Sequence, residues 1–191
     1  RSNEAPRGSI PEDQRSRWST IKGRVAVLLL MYQVGAEENG SPGGAITGTI
    51  QNDVLKEYSA SGTYIYPPKQ ALRLITNIFE YCRAEIPKWN TISISGYHMA
   101  EAGASPTQEI AFTLADGIEY VRAAVASGQD VDDLGPRLSF FFVLRTTLLE
   151  ECAKFRLARP RRASGMQNHL GARAPNSRRP RLLPPPAAIP A

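Results

Sequence analysis

The chain has 191 residues, 42% hydrophobic and 21% charged, a composition typical of one globular domain with a substantial core. Its net charge of +5 does not indicate a nucleic-acid-binding fold. Eight arginines lie from Arg156 onward, where there are no acidic residues, and the rest of the chain has 15 basic against 18 acidic residues. No apolar run is long enough to span a bilayer and no signal peptide opens the chain, so we expect a cytoplasmic protein without membrane or nucleic-acid partners.

The two ends of the chain differ from its middle. Residues 1–24 are polar and interrupted by proline and glycine, which predicts a disordered arm. Residues 158–191 are rich in arginine, proline, alanine and glycine and keep no helical or strand period, which predicts a disordered basic tail. A folded region is therefore expected over residues 25–157. Nucleic-acid binding by the tail would depend on charge alone, and we do not favour it.

The two cysteines, Cys82 and Cys152, lack the close pairing that zinc and redox motifs need. We expect both to be small buried apolar residues, with no disulfide between them. The sequence predicts no metal site.

The first half of the folded region alternates helix and strand. Val25–Glu38 is apolar on nearly every side, which predicts a helix covered by a sheet and by other helices. Residues 45–51 are β-prone, and Asn52 is placed to cap a following helix. Residues 70–84 carry apolar side chains at helical spacing.

The sequence TISISG, residues 91–96, predicts a central strand that Gly96 ends. Tyr97, His98 and Glu101 follow, and we expect them in a loop at the carboxyl end of the strand. In α/β proteins this is where binding and catalytic residues are usually found.

The second half repeats the alternation. Ser105 and Pro106 begin a long helix that Gly128 ends, with Ile110, Leu114, Ile118, Val121 and Val125 as its apolar stripe. Residues 137–143 form a strand so apolar that both faces should be covered, and residues 148–157 predict a last helix. Strands separated by crossover helices indicate an α/β protein with a parallel sheet.

Five blocks of sequence carry a family resemblance. They are GTIQNDVLKEY (48–58), TYIYPP (63–68), ISISGYH (92–98) with EAGA (101–104), AFTLADGIEYVRA (111–123) and PRLSFFF (136–142). In this order and spacing they resemble the adenosylcobalamin-dependent acyl-CoA mutases, which include the methylmalonyl-CoA, ethylmalonyl-CoA and isobutyryl-CoA mutases. The resemblance covers roughly residues 25–157.

This resemblance implies a fold and a reaction. The fold would be a partial TIM-type (β/α)8 barrel that threads an acyl-CoA along its axis and meets the cobalamin at the carboxyl ends of its strands. The reaction would be a radical 1,2 rearrangement of the acyl-CoA carbon skeleton, which makes the chain an isomerase by family. The cofactor supplies the radical chemistry, while the protein positions groups and excludes water.

The resemblance also assigns residues. His98 matches the histidine that hydrogen-bonds the substrate thioester carbonyl, and Tyr97 matches the aromatic residue between substrate and corrin. The positions that match substrate contacts are Thr49, Gln51, Lys88, Asn90, Arg137 and Ser139. From the residues alone, a bland loop histidine, a packing tyrosine and a solvated arginine are the more ordinary interpretations, and a polar strand end is about as ordinary as a substrate contact.

The sequence departs from the family pattern at two points. Ser61 stands where methylmalonyl-CoA mutases have an arginine that grips the free carboxylate of the substrate, so a substrate without that carboxylate is expected. No DxHxxG cobalt-ligand motif is present, so the cobalt ligand is expected from another domain or chain, which makes a cobalamin-binding subunit and another mutase chain the expected partners. The alternative is a non-catalytic remnant or assembly subunit of a mutase complex.

Overall fold

The computed structural model describes residues 16–18, 24–62, 64–178 and 181–183. Six strands are described within these ranges, and every pairing between them is parallel. They form two three-stranded sheets, in the orders β1-β2-β3 and β4-β5-β6. The strands are β1 Ser16–Trp18, β2 Gly48–Ile50, β3 Trp89–Asn90, β4 Ile92–Ser95, β5 Leu138–Phe141 and β6 Arg181–Leu183.

Helices connect the strands. They are α1 Val25–Glu38, α2 Pro68–Glu85, α3 Tyr97–Glu101, α4 Pro106–Ala126, α5 Val131–Leu134, α6 Leu148–Asn168 and α7 Pro175–Arg178, with a π-helical turn at Glu57–Ser61. The predicted α/β class, with parallel strands and crossover helices, is confirmed. The six described strands form two open sheets and do not close into a barrel.

The break between the two sheets falls at one residue. β3 and β4 are a single run interrupted at Thr91, and β3 pairs with β2 whereas β4 pairs with β5. The two sheets are therefore joined covalently through the strand that leads to the predicted site.

The paired strands β4 and β5 present two different faces. Ile92 lies opposite Leu138, and Ile94 lies opposite Phe140. These four apolar side chains are buried in one core with residues of α2, α4 and α6. Because side chains alternate along a strand, Ser93 and Ser95 lie on the opposite face together with Ser139. One face is thus apolar and covered by helices, while the other carries hydroxyl groups.

Helix α4 begins as predicted. The hydroxyl of Ser105 accepts a hydrogen bond from the backbone N–H of Gln108, and the side chain of Gln108 accepts one from the N–H of Ser105, which forms a capping box before Pro106. The predicted apolar stripe is wrong at its carboxyl end, because Val125 is 45% exposed. The buried face runs instead through Ile110, Thr113, Gly117, Tyr120, Val121 and Ala124.

Gly117 explains why the buried face of α4 differs from the predicted stripe. A Cβ at Gly117 would lie 2.9 Å from the ring of Phe140, so the helix approaches the sheet through its glycine. The apolar pattern alone does not reveal such a close approach.

The prediction of disorder beyond residue 157 is wrong for residues 158–178 and 181–183. Helix α6 continues through Pro160 to Asn168, and β6 pairs with β5. Arg162 is buried, and its guanidinium donates hydrogen bonds to the carbonyl oxygens of Gly135 (2.9 Å) and Ser177 (3.4 Å) while lying 5.3 Å from the ring centre of Phe140. The sequence pattern predicts an exposed arginine at this position, whereas in the structure the side chain is buried and links α6 to Gly135 and Ser177.

The predicted arm, residues 1–24, falls mostly outside the described residues. Its described part, Ser16–Trp18, is the strand β1, so the prediction of disorder is wrong there. Helix α1 is confirmed, but it is not covered on every side by the described residues. Val27, Met31 and Val34 are each more than half exposed.

The cysteine prediction is half right. Cys82 is buried, and burial raises the pKa of its thiol to about 12. Cys152 is exposed, because it lies on the outer side of α6. Neither is in a disulfide.

A buried ion pair connects α4, α6 and the residues after β5. Lys154 Nζ lies 3.0 Å from Glu109 Oε2 and 2.7 Å from Glu151 Oε2, and it donates a hydrogen bond to the carbonyl of Val143 at 2.6 Å. Glu109 Oε1 in turn accepts the backbone N–H of Val143 at 2.7 Å. The side chains of Lys154 and Glu109 are each 1% exposed, so water cannot replace either partner.

Replacing Lys154 with methionine should lower the free energy of unfolding of the chain by about 3 to 5 kcal/mol, because it leaves buried carboxylates without a counter-charge. Chemical denaturation measures the loss. The matched control is Arg122→Met, which removes an exposed pair with Glu119 (3.8 Å) and should cost at most about 1 kcal/mol. If the two variants lost the same free energy of unfolding, burial would not be the reason that the Lys154 ion pair matters.

Candidate functional site

The predicted site lies where β4 ends, and a close contact fixes its backbone. A Cβ at Gly96 would lie 2.4 Å from Thr113 Oγ1 and 2.9 Å from Glu109 Cγ, so only glycine lets the chain pass this close to α4. Helix α3 starts at the next residue. Tyr97, His98 and Glu101 therefore lie in a short helix, and the predicted loop is wrong.

His98 is half-buried, and one ring nitrogen faces two polar groups. Its Nδ1 lies 3.0 Å from the hydroxyl oxygen of Ser95 and 3.4 Å from Nζ of Lys56. Ser95 comes from the end of β4, whereas Lys56 comes from the segment after β2. The end of β4 and the helical turn after β2 thus meet at this imidazole.

Asp53 holds this arrangement together. It is buried, and its carboxylate accepts hydrogen bonds from the backbone N–H of Ser95 (2.8 Å) and from the hydroxyl of Tyr120 (2.6 Å). It also accepts the backbone N–H of Lys56. Burial raises the pKa of Asp53, and the positive charge of Lys56 works in the opposite direction. Three donors and an adjacent ammonium offset part of the cost of burying this carboxylate.

The same contact corrects the predicted helix cap. Asp53, not Asn52, accepts the backbone N–H three residues later and so begins the helical turn that contains Lys56. Tyr120 completes the cap, because its hydroxyl accepts the N–H of Leu55 at 2.8 Å. A side chain of α4 therefore supplies a cap that the local sequence does not contain.

Tyr97 lies beside His98, half-buried, with its ring nearly perpendicular to the imidazole. The ring centres are 5.2 Å apart, and Phe141 at the end of β5 lies 6.1 Å from Tyr97 on another side. These edge-to-face contacts are favourable for aromatic rings and fix the direction of the tyrosine.

Thr49 and Asn90 are brought together by the structure. They are register partners on β2 and β3, and the amide of Asn90 donates a hydrogen bond to the hydroxyl of Thr49 at 2.9 Å. Gln51 follows β2 at its carboxyl end and is half-buried. Thr49 therefore lies in β2, whereas Gln51, which was predicted on the same strand, lies just beyond its end.

Three other predicted contacts lie further from His98 along the strands. Ser139 is fully buried in β5, and its hydroxyl donates to the carbonyl of Ile92 at 2.9 Å. Lys88 is exposed and Arg137 half-buried, and each directly precedes a strand. In parallel strands these amino ends lie opposite the end that carries His98. Nη1 of Arg137 is buried and has no hydrogen-bond partner among the described atoms.

Sequence reasoning missed Asp53, Lys56, Tyr120 and Asp116 as parts of the site. The first two lie in the quoted block GTIQNDVLKEY, three residues apart, which is the spacing of a side-chain cap. That spacing could have indicated Asp53. No local signal indicates Tyr120, because its contacts are 65 and 67 residues away.

Asp116, on α4, is a second acidic group near Asp53. Burial raises its pKa to about 7, and the negative charge of Asp53 contributes in the same direction. Its Oδ2 is buried without a hydrogen-bond partner in the described structure. The carboxyl group therefore titrates near neutral pH.

Residues that could hold a metal ion do not cluster in the described part of the chain: no three histidine, cysteine, aspartate or glutamate side chains converge there. Among the helices described above, none is both long and apolar enough to cross a membrane.

A parallel α/β fold with a polar site where one strand passes into a helix is the arrangement that these observations define. The family model for methylmalonyl-CoA mutase matches residues 7–188. The chain belongs to the methylmalonyl-CoA mutase family. The match extends beyond residues 25–157 at both ends, so the basic carboxyl-terminal segment is largely family sequence and the predicted extent of the resemblance was too short.

Individual relatives agree with this assignment. The chain is 53% identical over 150 residues to methylmalonyl-CoA mutase of Escherichia coli, an alignment that covers 78% of this chain and 21% of the relative. It is 51% identical to the methylmalonyl-CoA mutase large subunit of Propionibacterium freudenreichii and 50% identical to that of Streptomyces virginiae, again over 78% of this chain and over 21% and 20% of the relatives. The chain spans about a fifth of the length of these curated relatives.

Replacing Asp116 with asparagine should stabilise the chain above pH 7, because it removes a negative charge that is unfavourable in a largely buried position. The gain should be about 1 to 2 kcal/mol, since the partial exposure of Asp116 lets water screen part of that cost. The folded pKa of Asp116 is about 7 and the unfolded value 3.8, so the contribution of Asp116 to stability is greatest at low pH and falls as the pH rises between these values. Urea denaturation at pH 4 to 8 measures this slope.

The variant should reduce the slope without removing it, because the pKa of Asp53 is raised as well. Glu119→Gln, at an exposed carboxylate of α4, is the control. An unchanged slope in Asp116→Asn would show that Asp116 titrates in the folded chain as it does in water.

Proposed function

We propose that the chain forms part of an adenosylcobalamin-dependent acyl-CoA mutase and contributes the residues that bind and polarise the thioester. Completed by the remaining segments of a TIM-type (β/α)8 barrel, it would catalyse a radical 1,2 rearrangement of the acyl-CoA carbon skeleton. The observation that carries this proposal is the placement of His98, held by Ser95 and Lys56 at the carboxyl end of β4.

The distribution of the matched residues supports a long substrate. His98 and Tyr97 follow the run Trp89–Ser95, whereas Lys88 precedes it. Seven residues of extended chain span about 20 Å. A small acid could not contact both ends, but an acyl-CoA threaded along the strands could, with its thioester near His98 and its phosphates near Lys88 and Arg137.

His98 would act as a hydrogen-bond donor to the thioester carbonyl. The electron density on this oxygen changes as the group carrying it migrates, so a fixed donor can stabilise the transition state more than the bound substrate. Because Nδ1 faces Ser95 and Lys56, we assign this donation to Nε2.

Arg137 fits the role of an acyl-CoA contact through its buried Nη1. A buried guanidinium nitrogen without a described partner is unfavourable in the chain alone, and an anionic oxygen would satisfy it. Ser139 donates to Ile92, yet its oxygen keeps acceptor capacity for a substrate N–H. Thr49, Asn90 and Gln51 would hydrogen-bond the substrate from the neighbouring strand.

The described residues fit one side of a cobalamin site but not its metal ligand. Tyr97 offers a half-exposed aromatic ring, directed by His98 and Phe141, against which a flat macrocycle could lie. Neither histidine of the sequence lies in a DxHxxG motif, so the cobalt ligand would come from another domain or chain. When bound, adenosylcobalamin supplies the radical that begins the rearrangement, while Tyr97 would help to exclude water from it.

Partners follow from the same reasoning. The name of the relative from Propionibacterium freudenreichii describes a large subunit. We therefore propose a second mutase chain and a cobalamin-binding domain or subunit as partners of this chain. The competing function, a non-catalytic assembly piece, predicts a complex that forms without turnover.

Replacing His98 with alanine should lower kcat of the assembled mutase about 10²- to 10³-fold and change acyl-CoA binding only slightly, because the lost hydrogen bond is strongest in the transition state. Steady-state kinetics and equilibrium binding of acyl-CoA separate the two effects. His169→Ala, at the other histidine of the chain, is the matched control and should be neutral, since this side chain is exposed. Weak binding with intact turnover would make His98 a binding residue only.

Replacing Ser61 with arginine should shift the ratio of kcat/KM values from isobutyryl-CoA toward methylmalonyl-CoA. A buried substrate carboxylate without a paired cation costs several kcal/mol, whereas a methyl group in its place carries no such cost. Competition between the two substrates in the assembled mutase measures the ratio. A wild type that already prefers methylmalonyl-CoA would mean that another cation fills this role.

A further inference from the structure

We infer that Lys56 is a positioning residue that holds His98 as a neutral imidazole with its hydrogen on Nε2. This inference rests on the proposed function only for the use of that hydrogen, which is donation to a thioester carbonyl. The state of the ring follows from contacts within the chain and can be measured without substrate or cofactor.

The hydroxyl of Ser95 cannot determine the tautomer. It is the closer neighbour of Nδ1, at 3.0 Å, but a hydroxyl can either donate to a bare nitrogen or accept from a protonated one. Ser95 would satisfy both tautomers of His98 equally. A second neighbour is therefore needed to select one.

Lys56 is that neighbour, because an ammonium group can only donate. Its Nζ lies 3.4 Å from Nδ1, a favourable contact only when this nitrogen carries no hydrogen. The hydrogen of the neutral ring must then be on Nε2. Protonating both nitrogens would place two positive charges 3.4 Å apart, in a region where Lys56 is buried.

The position of Lys56 is itself fixed. Its backbone N–H is bound by Asp53, whose other two hydrogen bonds come from Ser95 and Tyr120. The opposite charges of Asp53 and Lys56 interact within the same buried region. The ammonium is thus held beside His98 by elements that also hold the end of β4.

A purely structural role for Lys56 makes a different prediction. If Lys56 only balances the charge of Asp53, replacing both residues by neutral ones of similar size should restore stability and leave His98 unaffected. If Lys56 selects the tautomer, the double variant should recover stability but still lose the fixed tautomer. The variants Lys56→Met and Asp53→Asn/Lys56→Met therefore separate the two roles.

The experiment is ¹⁵N NMR of the histidine rings in the complete chain, recorded at a pH where His98 is neutral. The chain has two histidines, so exposed His169 is an internal reference and His169→Ala assigns the signals. In a fixed tautomer the protonated and bare nitrogens resonate far apart. Exchange between tautomers draws the two shifts together, and the couplings of the ring protons identify which nitrogen is protonated.

We expect wild-type His98 to show the widely separated shifts of an Nε2–H ring, and Ser95→Ala to retain them. Lys56→Met and the double variant should both show shifts drawn together, as in an exchanging ring. Wild-type shifts in Lys56→Met, or an Nδ1–H ring in the wild type, would overturn the inference. Circular dichroism of each variant establishes that it is folded before its spectrum is interpreted.

A kinetic measurement in the assembled mutase tests the use of the hydrogen. Lys56→Met should lower kcat about 10- to 100-fold, as is typical when the partner that orients a functional histidine is removed, with KM changed much less. If the wild-type assembly does not turn over, the proposed function fails while the NMR result stands. If it turns over and Lys56→Met lowers only affinity, the positioning role is wrong.

Discussion

The buried carboxylate of Asp53 is the interaction on which the site depends. A carboxylate taken out of water must find donors or be protonated, and here the donors come from three places: the turn after β2, the end of β4 and the side of α4. The need to satisfy one charge therefore brings together parts of the chain that are 42 and 67 residues apart. His98 is oriented by residues that this carboxylate has already placed, so the geometry of the site is a consequence of local electrostatics.

The parallel sheet determines where the other polar groups can be. One face of β4 and β5 packs its isoleucine, leucine and phenylalanine side chains against the helices, which leaves the hydroxyl-bearing face for other contacts. Polar residues then occur along the whole length of the strands, from Lys88 and Arg137 at the amino ends to His98 beyond a carboxyl end. A long ligand suits such a surface better than a compact one. This is the physical connection between the fold and the proposed acyl-CoA substrate.

Much of the fold could be predicted from sequence because its signals are local. The spacing of Ile75, Ile78 and Phe79 and the capping residue Ser105 each reflect forces that act within a few residues, and the helices α2 and α4 were found where they were expected. The course of α6 was not predicted, because its continuation depends on partners of Arg162 that lie 15 and 27 residues away. The apolar surface of α1 likewise indicates that this helix packs against other residues, but it does not identify those residues.

The candidate site divides in the same way. His98 could be proposed as a site residue from a motif and from its place after a strand, whereas the groups that surround its ring could not be predicted. Lys56 lies within a recognisable block, but its contact with His98 crosses 42 residues, and Tyr120 reaches Asp53 from another helix. Such residues resemble ordinary surface or core positions until the tertiary structure brings them together.

Pro160 divides α6 into two halves, and different contacts hold each half to the rest of the fold. Proline has no N–H, so the carbonyl of Arg156 lacks its helical partner and the ladder is weakened between the two halves of the helix. The first half is held by Lys154 and its carboxylates, and the second by Arg162 with the carbonyls of Gly135 and Ser177. The two halves can therefore open separately. Amide hydrogen exchange in the second half should proceed by a sub-global opening that leaves the first half, and the site that it supports, closed.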